Sequence, residues 1–222
     1  MLTLVPSPVG NLEDITLRAL RLLREADLIA AEDTRHASIL LKHHGISRPL
    51  ISLHEHNEAQ RSEQIAQRLA AGENIALLTD AGTPGISDPG YRVIQACLAR
   101  GLEFTVLPGP TSILPALVGS GLPLHEFYFG GFLPVKSGRR RNTLAAALER
   151  RETSIFFESP HRIAKSLAVL AELAPERPVC VARELSKKFE EYWRGSAAEL
   201  SARAEKQPPR GEICLLVAGQ QR

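Results

Sequence analysis

Through its first 110 residues the sequence alternates short aliphatic runs with amphipathic ones, and few architectures accommodate that rhythm. MLTLV, LIAAED, PLISLH, NIALLTD and EFTVLPG are of strand length. Between them apolar residues recur at helical spacing. Ile15, Ala19, Leu22, Leu23 and Ala26 share one face, HASILLKHHG reads as a short helix closed by Gly45, and Ile65, Ala66, Leu69 and Ala70 form a stripe ending before Gly72. A further helix runs from Tyr91 to Arg100. Strand and helix in turn imply βαβ units and a largely parallel sheet. Beyond TSILPALVGSGLP the character changes: EFYFGGFLP is an aromatic strand, and TSIFFES, RPVCVAR and EICLLVAG are later ones. HRIAKSLAVLAELA is a helix, with Ser159 as its cap and Pro160 in its first turn. We place a boundary near Pro110, giving domains 1–110 and 111–222 with no low-complexity linker and no internal repeat.

The bulk numbers exclude several classes. With 44% apolar and 23% charged residues, the chain can fill a core. No apolar run approaches the ~20 residues that span a bilayer, and MLTLVPSPVG has neither the basic nor the long apolar region of a signal peptide. Cys97, Cys180 and Cys214 are far apart and lack C-x-x-C spacing, which argues against a disulfide framework or a zinc site and suits a reducing cytosol. A net charge of +2 means that any affinity for nucleic acid comes from a local patch.

Three Gly/Pro-rich loops follow strands of the first half: PSPVGN (6–11), DAGTPGISDPG (80–90) and PGPTS (108–112). In open α/β sheets ligands bind beyond the carboxyl ends of the strands, where these loops gather. Glycine admits close backbone approach and proline fixes loop shape in advance. None is a dinucleotide fingerprint, no P-loop occurs, and no loop carries a lysine. A site of backbone groups and small side chains suits a nucleoside-like ligand without a polyphosphate.

SPVGNLEDITLRAL, AAEDTRH, HEHNE, TDAGTPGISDPG, LPGPTS, GFLP, ESPHR and RELSKKFEE, in that order, resemble the small-subunit rRNA cytidine 2′-O-methyltransferases, a branch of the tetrapyrrole methylase superfamily. The resemblance covers nearly the whole chain. It implies two closely packed α/β domains, the first with a largely parallel sheet and the second with a mixed one, closing on S-adenosylmethionine. It also implies a homodimer that methylates the ribose 2′-hydroxyl of a cytidine in the decoding region of the small ribosomal subunit, with no metal and no membrane. Carried over residue by residue, it assigns Pro8, Ala81, Gly82, Thr83, Ile86, Thr111 and Ser112 to the cofactor, with Glu158 and Leu185 on the adenosine side. Ser7 and Val9 stand where relatives often have Thr and Ile. The family usually continues into a further helical segment, whereas this sequence ends at Arg222.

Other constellations carry two readings each. HEHNE invites a metal, but Glu58 occupies the position where H-E-x-x-H needs its second histidine, so a polar strand-end site is the better reading. AEDTRH places Glu32, Asp33, Arg35 and His36 at a strand's end, either as a helix cap and an ion pair or, through Arg35, as a bidentate grip on RNA phosphate. KSGRRR, with Lys136, Arg139, Arg140 and Arg141, is either a solvated face or the local patch that an rRNA-binding chain of low net charge needs. In RELSKKFEE, Glu184 and Lys187 would share a helix face as a surface ion pair, or act in catalysis. A ribose hydroxyl is a poor nucleophile that gains from a proton acceptor and from a cation beside the developing alkoxide. Glu184 and Lys187 are the first candidates for those roles, Glu32 and Asp33 the alternates. A tetrapyrrole-directed small-molecule methylase and a catalytically silent ribosome-binding module are the rival functions.

Overall fold

The computed structural model describes residues 1–220; Gln221 and Arg222, and with them the expectation attached to the chain's end, lie outside the described residues. The chain divides into two compact units, Met1–Thr111 and Ser112 onward.

The first unit is a five-stranded parallel sheet. Its strands are β1 (Leu2–Val5), β2 (Leu28–Ala31), β3 (Leu50–Ser52), β4 (Ile75–Leu78) and β5 (Phe104–Val106), in the spatial order β3-β2-β4-β1-β5. Helices α1 (Leu17–Glu25), α2 (Thr34–His43), α3 (Glu58–Ala70) and α4 (Tyr91–Ala99) make the crossovers. Successive strand residues face opposite sides of the sheet. Leu4, Ala30 and Leu77 meet Ile65 and Leu69 of α3 and Val93 of α4. Val5, Ala31 and Leu78 meet Ala19 and Leu23 of α1 and Leu40 and Leu41 of α2. A sheet covered on both faces is apolar along its whole strands, which is why these segments read as continuous aliphatic runs. Thr16 starts α1 by accepting the Ala19 N–H (3.1 Å), and Asp33 starts α2 by accepting that of Arg35 (2.8 Å).

The second unit is a mixed sheet. After α5 (Ile113–Ser120) come β6 (Phe127–Phe132), α6 (Ser137–Leu148), β7 (Thr153–Glu158), α7 (Ile163–Leu173), β8 (Pro178–Arg183), β9 (Glu191–Ser196), α8 (Ala197–Lys206) and β10 (Ile213–Val217), with strand order β6-β7-β10-β8-β9. Only β6 and β7 run parallel. One face packs Phe156, Val181, Leu215 and Trp193 against α6, α7 and α8. The other packs Ile155, Cys180 and Leu216 against Ala116 and Leu117 of α5.

Two local expectations give way. RELSKKFEE is a hairpin connection between β8 and β9, because Glu184 (φ 52°) and Ser186 (φ 63°) sit in the left-handed region, where no helix runs. The helix in HRIAKSLAVLAELA starts at Ile163, later than a Ser159 cap would place it. The Ser159 carbonyl accepts the N–H groups of Arg162 and Ile163 (3.0 Å each), so residues 159–162 form a lead-in turn. KSGRRR opens a true helix, α6, with Lys136 as its N-cap.

Candidate functional site: three loops at the carboxyl ends of a parallel sheet

β4, β1 and β5 are consecutive in the first sheet, so the loops that follow them emerge side by side. The first two are fastened together: the Ser7 N–H donates to the Gly82 carbonyl (2.8 Å) and the Gly82 N–H to that of Ser7 (2.9 Å). The third loop lies against the first so closely that a Cβ on Gly109 would stand 2.8 Å from Cβ of Pro6. Pro8 is buried, Ala81, Gly82 and Thr83 are half-buried, and Ile86 is exposed. Gly82 holds φ 74°, and a Cβ built there would meet nothing within 4 Å, so the space in front of it is open. The Ser7 Oγ is buried and has no hydrogen-bond partner among the described residues. Open space before a left-handed glycine beside an unsatisfied hydroxyl suits a polar ligand approaching the backbone closely.

The second loop is also clamped at its far end. The Glu58 Oε1, in the first turn of α3, accepts the N–H of Gly90 (2.9 Å) and that of Arg92 (3.1 Å). The Gly85 N–H donates to the Pro89 carbonyl (3.1 Å). Ser87, at φ 64°, is a left-handed residue other than glycine. Residues held in such conformations persist where surrounding contacts over-determine them, and they cluster at functional sites. Also within HEHNE, the His54 N–H donates to Asn57 Oδ1 (2.9 Å). Among the described residues no group of three or more His, Cys, Asp or Glu side chains could hold a metal ion.

Carboxylates from two strand ends meet beside these loops. The Asp80 N–H donates to Glu32 Oε2 (3.3 Å), the Asp33 N–H to Asp80 Oδ1 (3.2 Å), and His36 Nδ1 lies 3.1 Å from Asp80 Oδ2. Asp33 is capped and paired, with Arg35 Nη2 at 2.6 Å from Oδ2, and that guanidinium holds its carboxyl well below the usual carboxylate range. The cap and ion pair are thus formed, while the Arg35 side chain remains 88% exposed. Glu32 moves the other way: burial raises its pKa, the charges of Asp80 and Asp33 add to that, and the Asp80 N–H opposes it. Asp88 is pushed up to about 7, first by burial and then by the charges of Glu32 and Asp80. Asp80 and Asp88 lie within the glycine-rich DAGTPGISDPG segment, Asp88 in its Ser-Asp-Pro-Gly turn, and neither is among the candidate residues that the sequence supplies.

Within the second unit, Glu158 is 2% exposed and committed to its own turn: Arg162 Nη2 lies 2.6 Å from Oε1, the Ser166 hydroxyl donates to Oε2 (2.6 Å), and the Ser159 N–H donates to Oε1 (2.8 Å). Leu185 is buried beside Cys180 and Leu216. Thr111 and Ser112 stand at the passage from the first unit to the second, Ser112 as N-cap of α5. Glu184 and Lys187 are paired as anticipated, although on a turn: Nζ lies 3.0 Å from Glu184 Oε1 and 3.1 Å from Glu212 Oε2. Burial pushes the Glu184 carboxyl up, but the Lys187 hydrogen bond and the Glu212 N–H outweigh it, leaving the pKa lowered. Burial likewise disfavours the Lys187 cation, and the two carboxylates outweigh it, leaving its pKa raised. In the basic run, Lys136 and Arg139 are exposed, while Arg141 pairs with Glu172 (2.7 Å). Arg140 is 6% exposed and donates from Nη1 to the Val135 carbonyl (3.2 Å), which takes it off the basic surface.

The family model of the tetrapyrrole (corrin/porphyrin) methylases matches residues 1–201. The chain belongs to that family. This methylase is 45% identical over 220 residues to the "Ribosomal RNA small subunit methyltransferase I" of Synechocystis sp., covering 99% of this chain and 79% of the relative. It is 42% identical to the protein of the same name from Thermotoga maritima, covering 99% of both. The uroporphyrin-III-C-methyltransferase of Thermus thermophilus shares the fold, with a TM-score of 0.69, 23% identity, and 98% of this chain and 93% of that chain covered. So does diphthine synthase, with a TM-score of 0.76, 15% identity, and 98% and 89% covered. The methylase is an S-adenosylmethionine-dependent methyltransferase. The open space before Gly82 and the orphaned Ser7 hydroxyl fit that cofactor. Among the described residues no helix is long and apolar enough to cross a membrane.

The raised pKa of Asp88 carries a stability consequence. A carboxyl whose folded pKa exceeds its unfolded value stabilises the fold most below the unfolded pKa, near 4, and that contribution is lost as the pH rises through about 7. Asp88→Asn therefore melts above the parent at pH 8, by about 2–4 °C if partial exposure reduces the effect to ~1 kcal/mol, and the gap closes toward pH 4. Thermal melts of both proteins across that range check it.

Proposed function

We propose that this chain methylates the ribose 2′-hydroxyl of a cytidine in the decoding region of small-subunit rRNA. The observation that carries this reading is identity of 42–46% over nearly the whole chain to relatives named for the small ribosomal subunit. A methylase acting on ribosomal RNA works where ribosomes are, and we place it in the cytoplasm. We assign the cofactor to Pro8, Ala81, Gly82, Thr83 and Ile86, with Thr111 and Ser112 after the third loop. When bound, S-adenosylmethionine supplies an electrophilic methyl group on a sulfonium.

The chain's own residues align the hydroxyl, accept its proton and steady the oxygen's developing charge. Lys187, held protonated by its two carboxylate neighbours, is the cation for that oxygen. Glu184 is held ionised as the anchor of Lys187, and its lowered pKa makes it the weaker base. Asp33 is committed to Arg35. In the first unit, Glu32, with its raised pKa, is the alternate candidate for a proton acceptor. Lys136 and Arg139 supply the phosphate contacts, with Arg35 as a further exposed cation.

Labelled methyl donor tests the reading directly. Transfer to RNA in under-modified small subunits supports it, and label that enters only a porphyrinoid, or nothing, overturns it. Gly82→Val puts a branched side chain into the open space before the loop and abolishes S-adenosylmethionine binding in a folded protein; undiminished affinity by calorimetry would refute the cofactor assignment. Glu32→Gln and Lys187→Met each lower single-turnover methylation by about 10²-fold, with cofactor affinity within a few-fold of the parent. Parent-like turnover in either variant removes that residue from the chemistry. We further propose a two-fold homodimer, supported by exposed apolar residues at helical spacing, Tyr91 and Leu98 on α4 and Leu114 and Val118 on α5. Light scattering at micromolar concentration reads twice the 24.3 kDa chain mass if this holds.

A further inference from the structure

The corner between β6 and α6 presents aromatic and cationic side chains outward while its backbone is tied down from inside. β6 is an edge strand whose register to β7 shifts between Phe129 and Phe132. Gly131, at φ 65°, makes the bend, and such irregularities re-aim a side chain. Phe132 emerges 58% exposed, and its ring is steadied edge-on by Phe157 at 5.2 Å between centroids. Three residues on, Val135 is 77% exposed. The polar backbone below is satisfied by the protein itself. The Leu133 N–H donates to the Phe157 carbonyl (3.0 Å), Arg162 donates to the Leu133 carbonyl (3.3 Å), and Arg140 to that of Val135 (3.2 Å).

Two arginines thus turn inward to fix the corner, and Lys136 and Arg139 are left facing solvent. From Phe127 to Leu148 the sequence contains no acidic residue. A fixed aromatic face flanked by unopposed cations is the combination that binds single-stranded nucleic acid: the ring stacks on a base and the cations hold neighbouring phosphates. A duplex, whose bases are already stacked on one another, cannot use the ring. We propose that this corner is a stacking platform for single-stranded rRNA, with a base lying on Phe132 and its flanking phosphates on Lys136 and Arg139. The proposal rests on the rRNA reading above and adds to it the strandedness of the substrate and the residue that senses it.

The test compares the parent with Phe132→Ala, Phe132→Tyr and the double variant Lys136→Ala/Arg139→Ala. Anisotropy measures binding of a labelled 12-nucleotide single-stranded RNA and of its duplex at several salt concentrations, and calorimetry monitors S-adenosylmethionine. We expect Phe132→Ala to weaken single-strand binding by about 5–100-fold with an unchanged salt slope, and Phe132→Tyr to restore it. The double variant flattens the salt slope. Duplex affinity and cofactor affinity stay at the parent's values in Phe132→Ala. A 2-aminopurine base in the single strand is quenched by the parent and the Tyr variant and stays bright with the Ala variant. Unchanged single-strand affinity in Phe132→Ala, while the parent still methylates small subunits, overturns the platform and leaves the rRNA reading standing. Loss of dimer mass in Phe132→Ala with RNA affinity intact also overturns it and assigns the surface to self-association. A parent that neither binds the oligonucleotide nor labels small-subunit RNA removes both readings together.

Discussion

A parallel sheet buried on both faces offers a ligand only one place, the ends of its strands. In the first unit that constraint organises everything that follows. Because β4, β1 and β5 are neighbours, three loops far apart in sequence must share one edge of space. Their mutual fastening, Ser7 to Gly82 by two hydrogen bonds and Gly109 against Pro6 by contact, converts that proximity into a fixed surface. In the proposed cofactor assignment, backbone groups would do what charged side chains do in other nucleotide sites. That assignment needs no lysine in the loops, because its ligand carries no polyphosphate.

Charge follows a different logic in the two units. In the first, carboxylates are crowded: burial and the charges of Asp80 and Asp33 raise the proton affinity of Glu32, burial and the charges of Glu32 and Asp80 raise that of Asp88, and Asp33 escapes by pairing with Arg35. In the second, Lys187 sits between Glu184 and Glu212, an arrangement that keeps the amine protonated despite partial burial. Crowding like charges prepares a group to take a proton, and surrounding a cation with carboxylates prepares it to keep one.

The sequence made the alternation of elements legible because sheet strands buried on both sides leave long aliphatic runs, as in IALL and LIAA. It made the three loops legible because glycine and proline report backbone shape directly. It was silent where side chains decide. Nothing in KSGRRR separates Arg140, drawn inward to the Val135 carbonyl, from Arg139, left in solvent, since helical phase alone sets their fates. In RELSKKFEE the spacing of Glu184 and Lys187 would put them on one face of a helix, yet a turn with two left-handed residues brings the same pair to 3.0 Å. Glu58 was weighed as a failed metal ligand, whereas its partners are backbone amides some thirty residues away, which no local pattern encodes.

Glu58 links the second loop to the first turn of α3 through the amides of Gly90 and Arg92. Those two amides have no protection of their own once that carboxylate moves away. The far end of the loop and the start of α3 are thereby coupled, and hydrogen exchange at the Gly90 and Arg92 amides follows fraying of a helix end outside the loop. The rigidity of the loop's far end is borrowed from a neighbouring element, and the timescale on which that end yields belongs to the helix.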